Sequence, residues 1–204
     1  MSGIVGQNTL DNSGLIKAPA GGGAWNFIAK QTASGDSDIS FTSGIDSTYK
    51  EYIFTFNNIH PSASRPTFSF QADTGTNTNY NITATTTYYS AYHTEADATG
   101  FGYDTPHDEA QSTSFLQLSV VQCADNDASN SGYLHIFNPS SSVFVKHFIT
   151  LNQAMAEDGG GTKYSYANYK AGYFNTTTAL TRFQFKMSTG NIDAGDICLY
   201  GITT

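Results

Sequence analysis

The sequence predicts an all-β domain: an antiparallel, jelly-roll-like β-sandwich of about ten strands with a short extended N-terminal arm. Three observations predict it. Aromatic residues make up 14% of the 204 residues, while charged residues make up only 13%, against about 25% in an ordinary domain. Apolar and polar residues alternate with a period of two in short runs, the pattern of a strand with one buried face. Gly, Asn, Asp and Ser break those runs, as the turns of a sandwich or barrel require. Aromatic and Thr side chains fit a pleated surface, whereas helices draw on Leu, Ala, Glu, Lys and Arg. A chain of this length builds one core without splitting.

Residues 1–23 stand apart from the domain at 24–204. They carry the unit Ser-Gly-aliphatic-aliphatic twice, as Ser2-Gly3-Ile4-Val5 and Ser13-Gly14-Leu15-Ile16, and end in the joint Gly21-Gly22-Gly23. Three successive glycines make a flexible connection. Full burial of Ile4, Val5, Leu15 and Ile16 against a partner yields about 6–12 kcal/mol gross. Ordering some 15 residues costs roughly 1–2 kcal/mol each. Side-chain burial alone therefore does not hold the arm, and backbone pairing with a neighbour's sheet edge has to add to it. These four residues are the candidate assembly arm.

Strand signals then follow in order. Trp25, Phe27 and Ala29 alternate with Asn26, Ile28 and Lys30, and Ile39 and Phe41 alternate with Asp38 and Ser40. Tyr52 to Phe56, Phe68 to Gln71 and a Thr- and Tyr-rich run from Tyr80 to Tyr92 come next. Phe115 to Val120, Tyr133 to Phe137, Val143 to Leu151, Tyr164 to Phe174, Phe183 to Met187 and Ile197 to Ile202 complete the set. So many short strands favour two packed sheets over one open sheet. The longest stretch without the pattern is 93–112, which reads as a long loop. Residues 153–162 have room for a helical turn.

Charge and cysteine content narrow the function. The formal net charge is -8, with nine Lys plus Arg and no basic run, so a grip on nucleic-acid phosphates is excluded as the main role. Cys123 and Cys198 both lie in strand-like runs, and two buried free thiols are expected rather than a staple. No apolar run reaches the ~18 residues of a membrane span, and the N-terminus lacks the pattern of a signal peptide. The sequons Asn81-Ile82-Thr83 and Asn175-Thr176-Thr177 are expected by chance in so Asn- and Thr-rich a chain.

Motifs for chemistry are weak. Asp125-Asn126-Asp127-Ala128-Ser129 resembles the start of a calcium loop, but Asn130 and Ile136 stand where the turn Gly and bidentate Glu belong. A solvated hairpin turn is the expectation. His93, Asp104, His107, Asp108 and Glu109 match no metal-ligand spacing and read as an acidic surface loop. No nucleophile elbow or phosphate loop is present, so no catalytic residue, cofactor or metal is assigned. A glycan hydrolase needs a carboxylate pair about 5–10 Å apart, which seventeen acidic residues supply by chance. Tyr88, Tyr89 and Tyr92 cluster, as do Tyr164, Tyr166, Tyr169 and Tyr173. Tyrosine offers a flat apolar face and a hydroxyl, so the first three are candidate glycan or receptor contacts; the alternative is that they line the core or a subunit interface.

A family resemblance joins these readings. Met1-Ser2-Gly3-Ile4-Val5-Gly6 with Ser13-Gly14-Leu15-Ile16-Lys17 resembles the start of virion structural proteins of tailed bacteriophages, of marine and cyanobacterial type. Trp25 to Ile28, Ile39 to Ile45 and Tyr49 to Phe54 resemble the opening of their β-sandwich, and Phe183 to Ile202 its end. The likeness covers half the chain and is absent from 75–112. It implies a particle component, either a tail fibre or adaptor subunit or a capsid decoration protein, assembled in the host cytoplasm. It further implies a homo-oligomer, commonly a trimer, partnered by other capsid or tail proteins. A host surface glycan is the alternative partner, through a carbohydrate- or receptor-binding module for host attachment.

Overall fold

The computed structural model describes residues 24–203, and the arm residues Ile4, Val5, Leu15 and Ile16 lie outside them. The strands are β1 (Trp25–Ala33), β2 (Asp38–Phe41), β3 (Glu51–Pro61), β4 (Phe68–Asp73), β5 (Ala84–Thr94), β6 (Thr99–Tyr103) and β7 (Glu109–Ser112). After them come β8 (Leu116–Ser119), β9 (Asn130–Phe137), β10 (Lys146–Glu157), β11 (Lys163–Phe174), β12 (Arg182–Met187) and β13 (Ile192–Ile202). A single 3-10 turn, Thr105–His107, is the only helical element among the described residues.

All strand pairs are antiparallel, in a nine-stranded sheet ordered β1-β13-β3-β9-β10-β11-β5-β6, with β7 also on β5, and a four-stranded sheet ordered β2-β12-β4-β8. Their pairing is nested. The first strand pairs the last, β2 pairs β12, β3 pairs β9 and β4 pairs β8. This is a long two-stranded ribbon rolled into two four-stranded sheets, the jelly-roll order. Two insertions enlarge it. The β5–β7 segment lies between β4 and β8, and β10–β11 follow β9. Together they extend one sheet well beyond the other.

The core lies between the two ribbon halves. Tyr52, Phe54 and Phe56 of β3 alternate inward and meet Phe68 and Phe70 of β4 and Phe183 and Phe185 of β12, all at most 1% exposed. Period-two patterning puts every second aromatic on the same face. Ring pairs across the core are mostly edge-to-face at 5–6 Å, as between Phe54 and Phe185 (5.0 Å, 64°) and Phe56 and Phe68 (5.2 Å, 90°), the arrangement the ring quadrupole favours.

Beyond β9 the inward side changes chemistry. Thr150 and Asn152 of β10, Asn168 and Lys170 of β11, and Tyr88 and Ser90 of β5 all point inward and are buried. Tyr88 Oη donates to Asn168 Oδ1, and Asn168 Nδ2 donates to Tyr166 O at 3.1 Å. Polar groups thus replace hydrocarbon beneath the extension, some hydrogen-bonded and others, Thr150 Oγ1 and both amide atoms of Asn152, without a partner among the described residues.

Several expectations are corrected here. Thirteen strands are present among the described residues, not about ten, because 93–112 is not a loop: it contains the end of β5, then β6, the 3-10 turn and β7. Residues 153–162 hold no helical turn. There β10 runs to Glu157, and Asp158 Oδ1 accepts from the amides of Gly160 and Thr162 to close the hairpin into β11. Gly161 sits at φ +83 in that turn, where a side chain is strained. The Asp125–Ser129 segment is a turn closed by Ala128 N donating to Asp125 O at 2.8 Å.

Gly132 of β9 faces inward opposite Asn152, and a Cβ there meets Leu151 O and the Asn152 backbone. Gly132→Val is therefore expected to cost about 1–3 kcal/mol, read by urea unfolding. An unchanged midpoint would show that β9 and β10 can separate locally.

Candidate functional site

The outward face of the extended sheet is an unusual surface. Odd-numbered residues of β9, β10, β11, β5 and β6 point away from the core, and their register places them in rows. One row runs Thr55, Tyr133, Leu151, Tyr169, Tyr89, Tyr103 across six strands. The next runs Ile53, His135, Ile149, Ala171, Thr87. Ile149 is 48% exposed and Phe101 77%. Trp25 and Phe27 of β1 gather around Tyr200 of β13 at the far edge of the same face, with centroids 5.5 and 5.8 Å away. The outward positions of 131–137, 147–155, 165–173, 85–93 and 99–103 hold no Asp, Glu, Lys or Arg. In a chain of net charge -8, these five strands carry no charge at their outward positions, although the Glu51 carboxylate of β3 lies 2.8 Å from His135 and Tyr103 donates to Asp108. Scattered exposed hydrophobics are ordinary, but a contiguous apolar face marks an interaction surface.

The three candidate glycan contacts do not share a surface. Tyr89 points outward and stacks on Tyr169 at 4.8 Å with 7° between the planes, and the edge of Phe101 closes on it. Tyr88 points inward, is fully buried and sits against the His107 ring; burial pushes its phenol well above the ordinary range. It cannot touch a ligand. Tyr92 also points inward, but near the end of β5, where it remains partly exposed. The alternation of a strand separates Tyr88 and Tyr92 from Tyr89. From the second cluster, Tyr164 and Tyr166 join Tyr92 in a mutual edge-to-face triangle with centroids 5.5–6.3 Å apart. Tyr169 and Tyr173 are on the outward face instead.

Because β8 packs beneath β10 and β11, β5 and β6 overhang the smaller sheet. They form a trough of about 380 Å³ lined by Ser90, Tyr92, Gly100, Gly102, Asp104 and Tyr166 from the inward side, with Phe101 and Tyr103 of the outward face at its rim. The Tyr92 ring lies over Gly100, where any Cβ would collide with it. Tyr166 Oη donates to Ser90 Oγ at 3.1 Å. Asp104 Oδ2 lies 2.8 Å from His107 Nδ1.

A charged cluster that sequence reading missed forms where the hairpin β10–β11 meets the 121–125 segment. Lys163 Nζ lies 2.5 Å from Glu157 Oε2, 2.9 Å from Asp125 Oδ2 and 3.0 Å from Cys123 Sγ. Cys123, Asp125 and Glu157 are spaced as metal ligands, but the ammonium sits among all three. Hydrogen bonds from Lys163 hold both carboxyls below their usual range. A glycan hydrolase needs one carboxyl raised to act as acid, so this pair lacks that asymmetry. The His93, Asp104, His107, Asp108 and Glu109 set does not converge; His93 pairs Asp97, and His107 pairs Asp104. Cys123 and Cys198 are buried and not joined. Cys123 lies in the charged cluster, whereas Cys198 is paired beside Thr55 and Lys30 in the jelly roll.

Lys170, 1% exposed, is a buried cation, as Lys146 is. Its ammonium donates to His107 O at 2.9 Å and lies 5.3 Å from the Tyr88 ring centre. Burial pushes its pKa down to about 8, against the upward pull of Glu109 and Asp108. It lies beneath the 3-10 turn, so it fastens that turn to the sheet. No protein-family model, curated protein or solved structure matches this chain.

Proposed function

We propose that this chain is a non-enzymatic structural protein of a bacteriophage particle, a tail fibre, tail adaptor or capsid decoration subunit. On this reading it assembles with copies of itself through the outward face of its larger sheet. The observation that carries it is the weakly charged, aromatic-rich face on an otherwise acidic molecule. Two copies each carrying net charge -8 repel one another, and that repulsion is smallest where both present little charge. Five strands spaced about 4.8 Å apart and some nine residues long cover roughly 700 Å², close to the ~800 Å² per partner of a standard specific interface. Small residues (Ala91, Ala167, Ala171) lie beside Tyr89, Tyr169 and Tyr173 on that face, leaving hollows next to ridges for a second copy to fill. The jelly roll itself supports the reading only by analogy, since capsid and lectin domains both use it. The placement in a phage particle rests on the resemblance of Ile4-Val5, Leu15-Ile16 and the two ends of the domain. The arm then anchors each subunit to the particle.

Two measurements test this. Sedimentation of the full chain should give an oligomer, and Ile149→Asp should give folded monomers with unchanged strand content by circular dichroism and a lower melting temperature. A wild type that sediments as a monomer overturns the self-assembly reading. Deleting residues 1–20 should leave a folded oligomer that no longer joins particles, and normal incorporation of that truncation sinks the anchoring role.

A further inference from the structure

We infer that the trough on the inward side of β5 and β6 is a binding site for a neutral saccharide, with one pyranose ring stacked on Tyr92. Most of this site is on the opposite face of the sheet from the proposed assembly surface, with Phe101 and Tyr103 of that surface at its rim.

Four features carry the inference. First, the trough has a bare floor. β6 reads Thr99-Gly100-Phe101-Gly102-Tyr103, and both glycines face the inward side. Gly102 has open space where its Cβ would stand. Glycines in a strand weaken it, and they mark places where another group approaches the backbone closely. At Gly100 the approaching group is the Tyr92 ring; at Gly102 no protein group fills the space.

Second, the Tyr92 ring lies against Gly100, Tyr164 and Tyr166 meet it edge to face, and the residue remains 39% exposed. A ring held by its neighbours with part of its surface exposed is a stacking platform for the apolar C–H face of a sugar. Tyr89 offers no such platform, because its face is taken by Tyr169. Third, polar groups converge around the bare floor. The Ser90 and Tyr166 hydroxyls are bonded to each other. The Asp104 carboxylate has one oxygen facing His107 and one further acceptor oxygen. A carboxylate beside two hydroxyls matches the alternating donors and acceptors of vicinal sugar hydroxyls.

Fourth, charge selects among sugars. Asp104 stands in the trough, Asp108 and Glu109 follow on the next turn and strand, and the molecule as a whole is acidic. A uronic or sialic acid is repelled, while a neutral hexose is not.

The test is a titration of the isotopically labelled full chain, followed by amide shifts. The probes are the methyl glycosides of glucose, galactose and mannose, N-acetylglucosamine, and glucuronate as the anionic control. At least one neutral probe at about 50 mM should shift the amides of Ser90, Tyr92, Gly100, Gly102 and Asp104, with millimolar affinity. Glucuronate should shift none of them. Gly102→Val puts a Cβ where nothing lies within 4 Å, so it should keep the fold, fill the floor and lower the affinity at least tenfold. Tyr92→Leu should lower it by a similar factor. Absence of shifts with every neutral probe, shifts confined to the outward face, preference for glucuronate, or unchanged binding by Gly102→Val each overturns the inference. An oligomer that assembles normally but binds no probe rejects this site alone.

Discussion

Phe185→Ala is expected to destabilise the protein by about 3–5 kcal/mol, the upper range for losing a large buried ring. The Phe185 ring packs against five others: Phe54 at 5.0 Å, Phe56 at 5.4 Å, Phe68 at 6.1 Å, Phe41 at 6.2 Å and Phe70 at 6.4 Å. It belongs to β12, which lies between β2 and β4 in the smaller sheet. Its neighbours come from both sheets, and each is fixed by its own strand, so the cavity has little means to collapse. Against a total stability of about 5–15 kcal/mol for a domain, this loss populates the unfolded state measurably. Urea unfolding with an unchanged slope is the measurement. A cost under about 1.5 kcal/mol would show that the rings repack, contrary to the rigidity described here.

Lys170→Met is expected to do the opposite and stabilise the protein at pH 7 by about 3 kcal/mol. The lysine pKa falls from 10.5 in the free side chain to about 8 in the fold, and each unit corresponds to about 1.4 kcal/mol. The unfolded chain therefore holds this proton more tightly than the folded one. Below pH 8 both states are protonated, and the penalty of the buried charge is present in full. Between pH 8 and about 10.5 the unfolded state alone carries the proton, so stability rises with pH. Above that both are neutral and the penalty is gone. Methionine has similar length and carries no charge, so its advantage should be greatest at pH 7 and vanish near pH 11. Urea midpoints at several pH values read the effect. A less stable variant at pH 7 would mean that the bond to His107 O and the contact with Tyr88 outweigh desolvation.

The jelly-roll half of the molecule was legible because its strands follow the alternation rule cleanly. Tyr52, Phe54 and Phe56, or Phe183 and Phe185, show period-two runs whose apolar side meets only hydrocarbon. The extension obeys the same rule with a different alphabet. In β10 and β11 the buried positions include Lys146, Thr150, Asn152, Asn168 and Lys170, which a hydropathy reading assigns to solvent. In β6 the inward positions are Gly100 and Gly102, which it assigns to a turn. For that reason 93–112 reads as a loop, although the Gly-x-Gly alternation between Thr99 and Tyr103 is itself a period-two signal.

The candidate surfaces divide along the same line. Tyrosine clustering pointed to an aromatic surface, but proximity along a strand does not mean a shared face. Tyr88 and Tyr89 are neighbours in sequence and lie on opposite sides of the sheet. Lys163 carried no local signal at all; its three partners come from 123, 125 and 157 and meet only when β10 and β11 close their hairpin.

Composition and periodicity alone determined the β class, the sandwich arrangement and the acidic, weakly charged character of this protein, because those follow from local fit to a pleated surface. Strand order, the nesting of the ribbon and the identity of the bare face were decided only by tertiary structure. Pairing across distances of a hundred residues or more, such as Trp25 with Ile202 and Ile39 with Phe185, depends on which faces can be buried together. No short stretch of sequence contains that information.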